Sequence, residues 1–354
     1  MDTIRKGKVQ TVCGSVEPDS MGTTLTHEHL LIDCGVLYVP ATSKTGPPIH
    51  DYSDAPFDLR HVGWIQRYPY SHKGNLHLTE FDVCVEELEY FKSAGGSTIV
   101  DNTTHGLGRD VERLQQLSTQ TGVNIVAGAG FYVGPSHPLD MSTRTEEQLI
   151  DTIIHEVVDG CDGTKVKCGL IGEIGCSWPL TGNEKKVLRA AAQAQERLGC
   201  AVNIHPGRDE KAPAEIVRIL QEAGCDISKT TMSHLDRTLM DFETCLEFAA
   251  LGSYCEWDLF GVETSYYQQD KQKDMPSDAV RMRFLERMIA EGYEDRLLIS
   301  HDIHTKYRLM KYGGHGYSHI LVDIVPRMLL RGVTQATIDK ILVDNPRRWL
   351  TFIR

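Results

Sequence analysis

A closed (β/α)₈ TIM barrel is the fold class this sequence predicts, and three observations lead to it. Beyond residue 80, short β-branched runs alternate with longer amphipathic ones. Counted with the run that ends at His27, there are eight strands, seven of them followed by a helix. No Gly-x-Gly-x-x-Gly signature stands at a strand-to-helix turn, which argues against an open dinucleotide-binding sheet. A chain of 354 residues suits one barrel domain spanning 1–354.

The first strand is the apolar run closing on His27. The other seven are expected at 97–101, 124–131, 166–174, 201–204, 230–233, 253–257 and 297–300. Helices are expected between them at 79–94, 109–121, 144–158, 183–198, 212–223, 241–251 and 278–291, with a further helical region at 318–348. Glycines at 95, 199 and 224 fall where several of these helices stop. Two segments lie outside the repeat. Residues 8–17 read as a short β-hairpin capping the barrel floor. Residues 33–78 form a long insertion after strand one, and its Trp64, Tyr68 and Tyr70 suggest a lid over the mouth.

Composition narrows the function classes. Lys and Arg total 37 against 49 Asp and Glu, a net charge of −12, without a basic run or aromatic-basic interleaving. Nucleic acid is therefore not an expected partner. No stretch approaches the roughly 20 apolar residues of a membrane span, and the start lacks the apolar core of a signal peptide. Ten cysteines are scattered without paired spacing and are expected as reduced core residues of a cytosolic protein.

The chemistry is concentrated at the strand ends, where barrels of this type place their active sites. Leu-Thr-His-Glu-His-Leu at 25–30 sets His27 and His29 two residues apart, on one face of an extended strand. Strand four offers Glu173, strand five ends at His205, strand six at His234, and strand eight at His301 and Asp302. Four imidazoles and two carboxylates converging on one mouth suit two divalent ions. His27, His29 and Asp302 can hold an inner ion, His205 and His234 an outer one, and Glu173 can bridge. A bridging hydroxide would be the nucleophile and Asp302 its proton acceptor. Singly, each of these residues has a structural reading as a core histidine, a paired carboxylate or a helix cap. The order in which they fall on strands one, four, five, six and eight carries the inference. His105, His304, His315 and His319 lie near strand ends or in the strand-eight loop and stand as secondary candidates.

Longer motifs then resemble the amidohydrolase superfamily and, within it, the phosphotriesterase family, most closely its animal subgroup. They are Lys-Cys-Gly-Leu-Ile-Gly-Glu-Ile-Gly-Cys-Ser-Trp-Pro-Leu at 167–180, Ile-His-Pro-Gly-Arg at 204–208, Met-Ser-His-Leu-Asp-Arg-Thr at 232–238, His-Asp-Ile-His-Thr-Lys at 301–306, and the run 309–321. The resemblance implies a barrel metallohydrolase with ligands His27, His29, Glu173, His205, His234 and Asp302. It implies two divalent ions (zinc, with manganese, cobalt or iron as alternatives) and, by family habit, a homodimer. For the animal subgroup it implies amide hydrolysis, of N-acetyltaurine to taurine and acetate and of other N-acetyl amino acids.

Two departures from the phosphate-ester members shape the expectation. They bridge their metals with a carboxylated lysine, whereas strand four here offers Glu173; Lys165 and Lys167 lie several residues before the strand's end. Leu259 stands where relatives carry a basic residue. The alternatives are an esterase, lactonase or phosphotriesterase using the same metals, or a binding protein without catalysis. A small anionic N-acyl substrate would need donors at the mouth. Tyr132, Arg208, Arg237 and Lys306 are the substrate-binding candidates, with Arg109, Arg308 and Lys311 also in reach and Trp178 as a further wall for the acetyl group.

Overall fold

The computed structural model describes residues 5–41, 50–264 and 267–354. It opens with an antiparallel hairpin, β1 (Val9–Thr11) and β2 (Gly14–Val16). The barrel strands are β3 (Thr24–Glu28), β6 (Thr98–Asp101), β7 (Asn124–Ala129), β8 (Leu170–Gly175), β9 (Ala201–His205), β10 (Thr230–Met232), β11 (Tyr254–Trp257) and β12 (Leu297–Ile299). All pair in parallel, in chain order from β3 to β12. The Asp302 N–H donates to the His27 carbonyl at 3.0 Å and joins the two end strands, closing the (β/α)₈ barrel. Between β3 and β6, the short strands β4 (Ile32–Asp33) and β5 (His77–Leu78) pair antiparallel and tie the base of the long insertion.

The helices follow the predicted alternation. They are α1 (Val62–Arg67) inside the insertion, then α2 (Phe81–Ser93), α3 (Val111–Thr121), α4 (Glu146–Val158), α5 (Gly182–Leu198), α6 (Ala212–Glu222), α7 (Leu235–Thr238), α8 (Phe242–Ala249), α9 (Asp278–Ala290), α10 (Val325–Leu330), α11 (Gln335–Asp339) and α12 (Asn345–Leu350). Thr145 and Thr181 start α4 and α5 with reciprocal capping boxes to Gln148 and Glu184. The expected helix at 318–348 divides into two, each containing a wide π-type turn (Ile320–Ile324 and Lys340–Asp344) just before a proline, Pro326 or Pro346. Proline has no N–H to donate, so the regular ladder is interrupted there. The expected strand at 166–174 begins only at Leu170, because Cys161 and Val166 are taken up in a turn.

The hairpin sits where the sequence placed it. Val9 packs with Met21, Val126, Leu170 and Trp349 at the N-terminal end of the strands, and the Val12 N–H donates to Ile125. Trp349 belongs to α12, so the last helix closes the same floor. Lys229, just before β10, is buried and donates to the carbonyls of Arg348, Trp349 and Thr351 at 2.5–2.7 Å. Burial pushes its pKa down to about 8. Nine of the ten free cysteines are buried, as expected of core residues, whereas Cys13, in the hairpin, is exposed. Among the described residues no helix is long and apolar enough to cross a membrane.

The insertion supplies Leu37, Pro69 and Tyr70 to the wall of the barrel mouth, the lid position expected of it. Trp64 and Tyr68 pack on each other instead, at 5.3 Å between ring centres. Residues 42–49 of the same insertion lie outside the described residues.

Replacing Lys229 with Met leaves three helix-end carbonyls without their donor, and the expected loss of stability is about 3 kcal/mol. Denaturant unfolding measures it; a midpoint equal to wild type would mean that Lys229 does not anchor α12.

Candidate metal centre

Two breaks in strand register place the ligands. The β3/β6 pairing shifts between Leu25 and Glu28, and the β8/β9 pairing shifts between Ile171 and Ile174. Such irregularities re-aim side chains, and they coincide with His27 and Glu173. Gly172 is required at the second break. Its φ is +132°, and a Cβ there would lie 2.4 Å from the Asn203 carbonyl oxygen. His234 and Asp302 adopt φ of +55° and +54° at the ends of β10 and β12. Left-handed backbone at a non-glycine residue is costly and is found at functional sites.

The six predicted ligands meet at the C-terminal mouth, all of them buried. Two groups of three bring one ligand atom each into mutual reach: His27, His29 and Asp302, and Glu173, His205 and His234. Glu173 lies between them. Its Oε1 is 2.5 Å from His205 Nδ1 and 2.9 Å from His234 Nε2, while its Oε2 is 3.6 Å from His27 Nε2 and 3.9 Å from His29 Nε2. Asp302 Oδ1 is 3.2 Å from His29 Nε2 and 3.8 Å from His27 Nε2. Lys165 is exposed, and Lys165 and Lys167 precede the start of β8, at the opposite end from Glu173.

The far nitrogen of each imidazole is held by a partner, which sets which nitrogen faces inward. His29 Nδ1 meets Thr103 Oγ1 at 2.9 Å, and His234 Nδ1 meets Asp258 Oδ1 at 2.8 Å. His27 Nδ1 lies 3.0 Å from Ser233 Oγ and 3.2 Å from Asp258 Oδ2. Glu28, between the two strand-one histidines, faces the other way. It accepts from the backbone N–H groups of His301 and Ile303 and from Ser300, fastening β3 to the end of β12.

These donors fit divalent cations. His27 Nε2 is fully buried and has no hydrogen-bond partner among the described residues, yet it faces both Glu173 and Asp302. Burial disfavours charge on Glu173, but His205 and His27 beside it hold its carboxyl well below the usual range. Burial would likewise lower His234, yet Asp258 lifts it to about 9. On His205 burial wins, and its pKa falls to about 3. Carboxylates kept ionised out of water need positive charge close by.

Three of the four substrate-binding candidates line the pocket above this centre: Tyr132, Arg208 and Arg237. The Tyr132 hydroxyl is 3.3 Å from His205 Nδ1. Lys306 does not reach it. Its ammonium instead pairs with Glu80 at 2.7 Å and packs over Tyr312. Trp178 is also misplaced as an acetyl wall, since it is 37% exposed on an outer groove with Gly207 and Lys211. Arg109 is tied to Glu156 and Asp162, and Lys311 is exposed outside the pocket. Arg308 lines the mouth but donates to the carbonyls of Asp302, His301 and Phe260. Of the secondary histidines, His304 joins the site: it lies 3.2 Å from Asp302 Oδ1 and 3.0 Å from the Tyr70 hydroxyl. His105 binds Glu156, while His315 and His319 pack with His301 behind strand eight. Asp258, held against the His234 and His27 rings, is a carboxylate of the site that the sequence reading did not single out. Its place directly after β11 obeys the same strand-end rule that found the others.

The profile of the Phosphotriesterase family matches residues 7–350. The chain is 56% identical over 349 residues to the N-acetyltaurine hydrolase of Xenopus tropicalis and 57% identical over 348 residues to that of Mus musculus, covering 98% of each partner and of itself. Among solved structures it is similar to a resiniferatoxin-binding protein from Rhodobacter sphaeroides (TM-score 0.92, 34% identity, 98% of this chain and 96% of that one). It is also similar to the phosphotriesterase homology protein from Escherichia coli, complexed with phosphate in its active site (TM-score 0.76, 25% identity, 94% and 99%). Full-length identity above half, a matching profile and a shared barrel fold place this chain in the phosphotriesterase family.

Proposed function

We propose that this chain is a two-metal amidohydrolase that cleaves N-acetyltaurine to taurine and acetate, with other N-acetyl amino acids as lesser substrates. The observation that carries the substrate is the full-length identity of 56–57% to N-acetyltaurine hydrolases. The site supports the reaction class independently, through Glu173 set between two histidine groups.

In this reading His27, His29 and Asp302 hold the inner ion, His205 and His234 the outer one, and Glu173 both. Zinc suits this mixed donor set, as do manganese, cobalt and iron. Such ions, when bound, lower the pKa of water and polarise an amide carbonyl as Lewis acids. The chain's own residues do the rest. Asp302 takes the proton of the attacking water and hands it to the amide nitrogen as the C–N bond breaks. His304 holds the Asp302 carboxylate from one side and is itself held by Tyr70. Tyr132 presents a neutral hydroxyl on the His205 side, where the acyl oxygen would lie. Asp258 keeps the His27 and His234 rings aimed inward. Leu259 lines the pocket in place of a basic group, so an anionic leaving group gains nothing on that wall.

Purified protein is expected to hold two divalent ions per chain and to release acetate from N-acetyltaurine, and chelation should abolish the release. Turnover restricted to an N-acyl lactone or an aryl phosphotriester would refute the amidase assignment. Replacing Asp302 with Asn should lower kcat by about 10²–10⁴-fold, the usual contribution of a positioned proton carrier; wild-type turnover in that variant would exclude Asp302 from proton transfer. Asp258→Asn should weaken metal affinity about 10–100-fold, as expected for a group that orients ligands. Metal titration followed by elemental analysis reads that effect directly, and unchanged affinity would leave Asp258 a purely structural role.

A further inference from the structure

The pocket above the metal centre contains guanidinium groups with different commitments. Arg308 is spent on three backbone carbonyls at the strand ends. Arg237 is buried and anchored, with Nη2 donating to the Pro206 carbonyl at 3.1 Å and Nη1 to Thr238 Oγ1 at 3.2 Å. Arg208 is different. Its Nε donates to the Tyr267 hydroxyl at 2.9 Å, and its terminal nitrogens have no acceptor among the described residues. Neither Arg208 nor Arg237 has an ion-pair partner among those residues, although both line the pocket.

Because Tyr267 accepts from Arg208, its own O–H is left to donate. Arg208 and Tyr267 thus present three donors on two adjacent groups: two terminal guanidinium nitrogens and one phenol. The phenol registers the same positive field. Burial opposes its ionisation, yet Arg208 and Arg237 bring its pKa below the ordinary tyrosine value. Half-buried positive charge without an internal counter-ion is costly unless a ligand supplies the anion. The carboxylates of the mouth, Glu173 and Asp302, are occupied with histidines.

We propose that Arg208 and Tyr267 form the subsite for the acid end of the substrate, a sulfonate or a comparable oxyanion, and that this subsite separates anionic N-acyl amines from neutral ones. The inference rests on the amide-hydrolase reading above and names which of the candidate cations sets its specificity. Arg208 follows β9 directly after the Ile-His-Pro-Gly segment, so the strand that carries His205 also carries the anion receptor. Reacting carbonyl and distant acid group are registered by one rigid element. Apolar contacts from Leu37, Val262 and Met275 complete the wall and disfavour a hydrated cationic head group.

The test uses the metal-loaded full chain and propane-1-sulfonate, which carries the anion but no amide. Calorimetric titration should show binding to wild type, weakened about 100-fold in Arg208→Gln and about 10-fold in Tyr267→Phe, the scale of charge-assisted and neutral hydrogen bonds. Arg208→Lys, which keeps the charge but not the fork, should fall between wild type and Arg208→Gln. In steady-state assays the preference for N-acetyltaurine over the neutral N-acetylethanolamine should collapse in Arg208→Gln by about the same 100-fold, mainly through KM. Equal sulfonate affinity in wild type and Arg208→Gln, or no sulfonate binding by wild type, would overturn the subsite. If wild type binds the sulfonate through Arg208 but releases no acetate from N-acetyltaurine, the subsite stands and the hydrolase reading falls.

Discussion

Ionised carboxylates held out of water are the constraint on which the rest of the mouth depends. Glu173, Asp258 and Asp302 are buried to 6% exposure or less, and each is surrounded by imidazoles. Such groups are tolerated only where positive charge or several donors compensate them. This requirement explains why four histidines point inward from three strands, and why hydroxyls from Thr103 and Ser233 sit behind two of them. It also explains the backbone. His234 and Asp302 accept left-handed φ because the hydrogen bonds and closed sheet around them over-determine their positions.

The same compensation divides the two faces of strand one. His27 and His29 turn into the mouth, and Glu28 turns away to bind the end of β12. One strand therefore supplies both the ligands and the clamp that closes the barrel beneath them. Replacement of Glu28 would loosen the seam between β3 and β12, and with it the spacing of His27, His29 and Asp302. Metal chemistry and barrel closure are thus mechanically linked at one dipeptide step. In the same way Gly172, through its close approach to Asn203, joins the placement of Glu173 to the packing of β8 on β9.

The legible part of the molecule was that governed by local pattern. β-Branched runs, amphipathic periods and glycine stops fixed the alternation and most boundaries to within two or three residues. The strand-end rule then collected His27, His29, Glu173, His205, His234 and Asp302. What escaped was set by contacts between distant segments. Asp258 acquires its role by meeting rings from β3 and the end of β10, 231 and 24 residues away in the chain. Lys306 looked available until the fold set it against Glu80, which stands 226 residues earlier. Trp178 likewise carries no sequence mark of facing an outer groove. The wide turns before Pro326 and Pro346 depend on how the two closing helices pack, and periodicity averages over them.

A chain with a net charge of −12 is a poor long-range attractor for an anionic substrate, so recognition must be decided at short range. At physiological ionic strength charges more than about 8 Å apart across solvent are largely screened. The acidic surface therefore contributes little inside the mouth, whereas buried Arg237 and half-buried Arg208 are less screened than surface charges. The acidic cluster belongs to the same mouth, where the divalent ions its donors fit would offset its charge. The mouth thus combines the carboxylates and imidazoles of Glu173, Asp302, His205 and His234 with the guanidiniums of Arg208 and Arg237 and apolar side chains such as Leu259, Arg237 Nη2 lying 3.3 Å from His205 Nε2. The proposed subsite would suit an N-acyl amine with an acid at its far end, the amide at the carboxylate–imidazole cluster and the anion at Arg208. On the proposed assignment a neutral ester or lactone would leave the anion subsite unfilled, and a cationic tail would be opposed by its guanidiniums.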